Sequence, residues 1–524
     1  MSTVLLAGGL LYDGSGDPPF PADILVREDE IAQVEPAGKV HFPGAEIRDL
    51  KGCSVSPGWI DVHAHSDASL LAEPEAFGKI SQGITTEISG NCGLSAFPVC
   101  TEEVREHLRT LYSLYDLRPD WTDFASYAER LEQCRPAVNP LFLCGHNTLR
   151  ANVSGYQKRE LPHGALAEMN RLLSLQLLQG AAGLSTGLLY TPGCFSDRAE
   201  LLSLLRTAAA QNGIYATHLR NEGDRLEEAL LEAVDLAEQA GIPLQISHLK
   251  TALPRNWHKL DRVLQIIEEA RRRGVDLHAD RYPDTRSQTS LSLVLPPPFD
   301  TMPDAAIRDS LRTGPELFAR TLKQLSASGR DWTKVILSQS GAHSAAGLIG
   351  MTIAEAAEKA GRTPAELVLT LLQEDSPGTM AAFSGMSEDN MKRILAREWV
   401  CCGTDETARP LHYSLGRSHP RGFGSFPRFV EILRGQGIPM EKIVRRLSAL
   451  PAEIFRLKDR GRIRPGMMAD LVIFDEAGLS SGADFRQPHT PSEGIHQVFV
   501  NGTAAYDGTR KKVIARVGRV LRRK

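Results

Sequence analysis

The chain has 524 residues, 42% of them hydrophobic and 24% charged, and a formal net charge of −4. That length exceeds a single small core and suits a large α/β barrel with an accessory domain. So mild an acidic balance excludes the electrostatic footprint of a nucleic-acid or anionic-membrane binder, and no apolar run approaches the ~20 residues that span a bilayer. The eight cysteines show no C-x-x-C spacing, which in a chain this large points to free thiols in a reducing, cytoplasmic compartment.

Residues 1–55 alternate short apolar runs with turns: Val4-Leu5-Leu6, Asp23-Ile24-Leu25-Val26 and Glu30-Ile31-Ala32-Gln33-Val34, with a Gly/Pro-rich loop from Gly14 to Pro19. The same style returns over 464–524, in Ala469 to Phe474 and Gln497 to Gly502. Two β zones around a different middle predict one small β-sandwich assembled from both termini. The middle, 56–463, alternates strand-like and helical patterns. Its candidate strands are Trp59–His63, Thr85–Ile88, Leu141–Cys144, Gly183–Thr186, Ile214–His218, Leu244–His248, Val275–Asp280 and Val400–Asp405. Amphipathic helices between them, such as Ala165–Leu178 and Arg225–Ala240, make this the pattern of a TIM (β/α)8 barrel. About 120 residues lie between the seventh and eighth strands, far more than a βα loop needs. An inserted subdomain rich in helix and proline, as in Leu295-Pro296-Pro297-Pro298, is therefore expected there, at about 287–344. The basic tail from Arg510 to Lys524 reads as solvated and frayed.

The first barrel strand ends in Asp61-Val62-His63-Ala64-His65. Side chains at i and i+2 of a strand share a face, so His63 and His65 project together. Cys92 follows the second strand in Ser89-Gly90-Asn91-Cys92-Gly93, where the glycines fit a tight turn. His218 ends the fifth strand, His248 the sixth and Asp405 the eighth. All six therefore fall at the C-terminal mouth of the barrel, where the active sites of this architecture lie. Imidazole, thiolate and carboxylate together suit zinc.

On these residues the chain resembles the metal-dependent amidohydrolase superfamily. Ser89-Gly90-Asn91-Cys92-Gly93, Gly145-His146-Asn147, Gly183-Leu184-Ser185-Thr186-Gly187-Leu188, Ser247-His248-Leu249-Lys250, Asp280-Arg281-Tyr282-Pro283 and His419-Pro420-Arg421 are similar to the N-acyl-D-amino-acid deacylases, or D-aminoacylases. The likeness extends over nearly the whole chain. Many amidohydrolases bridge two metals with a carboxylated lysine after strand four, and this strand has none. The resemblance implies that Cys92 takes that role, with one tightly held zinc on Cys92, His218 and His248. His63, His65 and Asp405 would form a second, weaker position.

The chemistry implied is hydrolysis of an N-acyl-D-amino acid to a carboxylate and a free D-amino acid. Asp405 would act as general base towards water and then as acid towards the departing amine. For the substrate carboxylate the family pattern offers Lys250, Tyr282 and Arg421, with Tyr190 lining the pocket. His146 reads as a buried structural histidine. Two segments depart from the family: Asp284-Thr285-Arg286-Ser287-Gln288 after the Tyr-Pro pair, and a long loop between Asp405 and Arg421. Arg286 has two readings, contact with an acidic D-side chain or an ion pair with Asp284, and the ion pair is the preferred one. The insert could serve as a lid. Rival readings are another amidohydrolase, either a cyclic amidase, which expects the missing lysine, or a dipeptidase-like enzyme; a deaminase, which does without the cysteine; and a barrel that has lost catalysis and serves as a scaffold, which expects missing ligands.

Overall fold

The computed structural model describes residues 3–156, 160–299, 302 and 304–523. Eight parallel strands form the barrel: β1 (Trp59–Asp61), β2 (Ile84–Ser89), β3 (Asn139–Phe142, resuming at Cys144–Gly145), β4 (Gly183–Gly187), β5 (Ile214–His218), β6 (Leu244–Ile246), β7 (Leu277–Arg281) and β8 (Val400–Cys402). Hydrogen bonding runs β1-β2-β3 and β3-β4-β5-β6-β7-β8. The ring closes just beyond the strand ends. There Asp405 N–H donates to the His63 carbonyl at 2.7 Å and His65 N–H to the Glu406 carbonyl at 3.2 Å, and Ala64 bridges Glu406 in parallel.

Ile60, Val62, Ile88, Leu141, Leu143, Ala182, Ile214, Ala216 and Cys401 pack as one buried cluster shared by β1–β5 and β8. The helices cover the barrel with apolar stripes. Leu226–Ala240, for example, buries Leu226, Ala229, Leu230, Ala233, Val234 and Ala237, and stops at Gly241 in the left-handed conformation.

The segments Thr3–Leu11, Phe20–Arg27, Glu30–Pro36, Glu46–Asp49 and Ser54–Pro57 join Leu471–Phe474, Ile495–Val500, Thr503–Asp507 and Lys512–Val513 in one nine-stranded sheet. Ser54–Pro57 is the junction, pairing with the first strand on one side and with Leu471–Phe474 on the other. Gly58 N–H then donates to the Asp470 carbonyl at 2.7 Å, tying the entry of β1 to the C-terminal half.

The insertion after β7 builds its own antiparallel sheet from Arg286–Ser290, Met380–Ser384 and Val335–Gln339. Its separate core includes Leu291, Leu337, Leu367, Leu371 and Ala381. It therefore runs well past residue 344, because the strand that completes its sheet lies at 380–384. The basic tail also differs from its reading as frayed. Gly518 N–H donates to the Pro136 carbonyl and Leu521 N–H to the Pro140 carbonyl, both at 2.8 Å, and Arg523 N–H donates to the Gly180 carbonyl at 2.9 Å. Arg519 pairs with Asp29 and Arg522 with Glu132. The tail is strapped across the entry ends of β3 and β4 by main-chain bonds, which leave no mark in composition. Truncation after Val513 is expected to lower Tm by about 5 °C or more in a calorimetric melt; an unchanged melt would show the strap to be dispensable.

Candidate active site and metal centre

β1 ends at Asp61, two residues earlier than the sequence reading. The backbone beyond it nevertheless stays in register, since Ala64 N–H donates to the Ile88 carbonyl at 2.9 Å. The His63 and His65 rings lie 5.3 Å apart. His63 Nδ1 sits 3.2 Å from Asp280 Oδ1. Its Nε2 is then 3.4 Å from both Cys92 Sγ and Asp405 Oδ1. His65 Nε2 is 3.1 Å from the same Asp405 oxygen.

Cys92 reaches this point through a turn that side chains would block. Its own φ is +54°, between Gly90 at +78° and Gly93 at +75°. A Cβ on Gly93 would lie 2.2 Å from Asn147 Oδ1 and 2.6 Å from Gly187 N; one on Gly187 would lie 2.0 Å from the Cys92 carbonyl. The end of β4 thus has no room for anything but glycine beside the cysteine loop. Ser185, also on β4, accepts from Gly93 N–H at 3.1 Å and donates to the Gly90 carbonyl. The Asp67 carboxylate accepts from Gly90 N–H and Ala96 N–H, both at 3.2 Å. The thiol is thereby held 3.5 Å from His248 Nε2 and 3.8 Å from His218 Nδ1, and those two nitrogens are 3.0 Å apart.

Burial alone would raise the Cys92 thiol, but the neighbouring His63 and His248 charges and the His218 and His248 contacts pull its pKa well below the ordinary value. The shift is towards the thiolate, the form in which a cysteine binds metal. Burial likewise pushes Asp405 up, and the Arg421 guanidinium, helped by His248, His65 and His63, overcomes it and holds the carboxyl well below the usual range. Arg421 Nη1 lies 2.8 Å from Asp405 Oδ2. Asp405 and His248, like Cys92, have positive φ, +51° and +35°. Such backbone is costly for a side-chain-bearing residue and persists only where the surroundings over-determine it.

Glu222, which the sequence reading missed, organises the opposite side. It lies 3.1 Å from His248 Nδ1, 3.7 Å from His218 Nε2 and 2.5 Å from Lys250 Nζ. A carboxylate on the far nitrogen fixes an imidazole's tautomer and turns its other nitrogen to the centre. Asp280 does the same for His63, and also accepts from His248 N–H at 2.8 Å. Glu222 could have been suspected four residues after His218. Lys250 was read as a substrate contact, but its ammonium already meets Glu222 and lies 2.8 Å from His248 Nδ1.

Of the remaining substrate candidates, Tyr190 packs its ring 4.8 Å from that of His218. The buried Tyr282 ring has the Arg421 guanidinium 4.6 Å and the Arg281 guanidinium 4.1 Å from its centre. Arg421 N–H donates to His419 Nδ1 at 3.0 Å, and His419 N–H donates to Glu406 Oε2 at 3.2 Å. Arg286 makes no side-chain ion pair with Asp284. The Asp284 carboxylate instead accepts the Arg286 backbone N–H at 2.8 Å, capping the turn, and the guanidinium lies over Phe485. The preferred ion-pair reading is thus incorrect. His146 is buried against Glu200 at 2.7 Å, away from the six.

The six converging residues form three overlapping triads, His63/His65/Cys92, Cys92/His218/His248 and His63/His248/Asp405, and within each triad the donor atoms lie within 4.8 Å of one another. A buried N/S/O donor set with carboxylates behind the imidazoles fits zinc. A barrel with such a cluster at its C-terminal mouth is the design of a metal-dependent hydrolase. Residues 46–506 match the profile of the Amidohydrolase family, and the chain belongs to it. It is 32% identical over 523 residues to an N-acyl-D-glutamate deacylase of Alcaligenes xylosoxydans xylosoxydans, covering 99% of this chain and 96% of that one. It is 33% identical over 506 residues to a D-aminoacylase of the same organism, covering 96% and 94% of the two chains. Among solved structures, the N-acyl-D-glutamate deacylase of Bordetella bronchiseptica superposes with a TM-score of 0.81 at 30% identity over 100% of both chains; it is complexed with zinc and a phosphonate that mimics the tetrahedral intermediate.

Glu222→Gln is expected to weaken zinc binding about 10- to 100-fold, read by competition with a chelator; unchanged affinity would contradict its role behind His248.

Proposed function

We propose that this chain is a zinc-dependent deacylase that hydrolyses N-acyl-D-amino acids to a carboxylate and a free D-amino acid. The observation that carries the reading is Asp405, held between His63, His65 and Arg421 beside the Cys92–His218–His248 group. The relatives that match over the full chain length, deacylases of N-acyl-D-amino acids, support the substrate class. Cys92, His218 and His248 would hold one zinc tightly, and His63, His65 and Asp405 would complete a weaker second position. When bound, zinc supplies Lewis-acid polarisation of the amide carbonyl and lowers the pKa of water from 15.7 towards about 7.

The protein's own residues account for the proton and the substrate. Asp405 is ionised and so accepts a proton from the attacking water as its oxygen bonds to the acyl carbon. As the C–N bond breaks, the same carboxyl returns that proton to the nitrogen, which must be protonated to leave. His63 and His65 fix the carboxylate from one side. Arg421, backed by Tyr282, is placed to bind the substrate α-carboxylate by its planar fork. Tyr190 lines the pocket beside His218. Lys250 contributes by steering Glu222 and His248, and Arg286 stands at the mouth of the insertion, where a side chain of the substrate would extend.

No helix among the described residues is long and apolar enough to cross a membrane. The eight cysteines are free thiols, which supports a reducing, cytoplasmic setting.

Hydrolysis of N-acetyl and N-formyl D-amino acids, with activity towards the L-enantiomers absent or minor, is expected in an amine-release screen with zinc content measured alongside. Activity confined to L-substrates would overturn the reading. Asp405→Asn is expected to lower kcat about 1,000-fold with little change in KM. Cys92→Ala is expected to lose the tightly held zinc; a variant with full zinc content would remove the cysteine from the centre.

A further inference from the structure

Behind the barrel mouth lies a buried ammonium that the proposed chemistry does not use. Lys79 is fully buried in the short helix Phe77–Ile80 between β1 and β2. Its three N–H groups are all committed: to Asp61 Oδ2 at 2.8 Å, to Thr404 Oγ1 at 2.7 Å and to the Glu406 carbonyl at 2.8 Å. Glu87 lies 3.3 Å away on β2. Thr404 and Glu406 are the two neighbours of Asp405 in the chain. Asp61 in turn accepts from Thr404 Oγ1 at 2.6 Å, from Thr404 N–H at 2.9 Å and from His63 N–H at 3.2 Å.

We propose that Lys79 is a positioning residue for hydrolysis: by clamping both neighbours of Asp405 and, through Asp61, the backbone of His63, it sets the distance and orientation between the proton-transferring carboxylate and its imidazole partners. The proposal rests on the assignment of Asp405 above. Two features favour positioning over simple packing. First, the residue clamped on both sides is the one at φ +51°, a conformation that must be imposed from outside. Second, closing the barrel between β8 and β1 needs only the main-chain bonds already present, from Asp405 to His63 and from His65 to Glu406. The ammonium adds a three-point anchor with fixed tetrahedral geometry. The same ammonium also neutralises the buried carboxylates of Asp61 and Glu87.

Removing the cation leaves Asp61 buried without its partner, so Lys79→Met is paired with the milder Thr404→Val. Valine keeps the shape of threonine and deletes only the hydroxyl that accepts from Lys79 and donates to Asp61, leaving the direct Lys79–Asp61 ion pair in place. Both variants are made in the full chain, loaded with zinc, and assayed for kcat, KM, zinc affinity by calorimetric titration and thermal melting. The expected result is a fall in kcat of about tenfold or more, KM within about threefold, the first zinc equivalent retained and the second weakened about tenfold. Folded variants with kcat and second-zinc affinity within twofold of the parent would overturn the proposal. So would a loss of activity that merely follows loss of the first zinc or of fold. If Lys79→Met does not fold, Thr404→Val decides by the same criteria. A parent enzyme inactive on N-acyl-D-amino acids would instead overturn the deacylase reading, and the second-zinc affinity would still judge Lys79.

Discussion

The approach of one buried cysteine sulfur to three imidazoles governs the rest of this site. Cys92 can lie 3.4 to 3.8 Å from nitrogens of His63, His248 and His218 only because its loop presses against the end of β4. That contact in turn requires glycine at 93 and 187. Any side chain at 187 would need the space the cysteine loop fills, so the end of β4 and the approach of Cys92 are set together. The positive φ angles at Cys92, His248 and Asp405 show the same economy: three of the converging positions are held in uncommon backbone by a rigid frame rather than by local preference.

Charge balance follows from that arrangement. The Arg421 guanidinium draws the Asp405 pKa down against burial, and the contacts with His63, His218 and His248 draw down that of the Cys92 thiol. The carboxylates of Asp280 and Glu222 stand behind the histidines, and Lys250 stands behind Glu222. The result is a set of lone pairs aimed inward with their other ends tied down, which is what a metal centre needs of its surroundings.

Much of this was legible in the sequence, for identifiable reasons. Barrel strands announce themselves as apolar runs between amphipathic helices, so β4 and β5 fall where periodicity put them. Residues at or just past strand ends inherit their place from the strand, which is why the convergence of His63, His65, His218, His248 and Asp405 at the barrel mouth could be read in advance. What depends on tertiary hydrogen bonding was not legible. Glu222 and Lys79 become informative only when the chain brings β6 beside the loop after β5, and the 404–406 segment beside β1. Arg286 looked paired with Asp284 because the two are close in sequence, but the carboxylate satisfies the backbone of the turn. The insertion outran its expected end because its closing strand, Met380–Ser384, is short and far from the strands it joins.

The central claim is that a cysteine sits among the metal ligands of this barrel. X-ray absorption at the zinc edge of protein loaded with one equivalent of zinc tests it directly. One sulfur at about 2.3 Å together with nitrogen scatterers at about 2.0–2.1 Å is the predicted first shell. A shell of nitrogen and oxygen without sulfur would contradict the account.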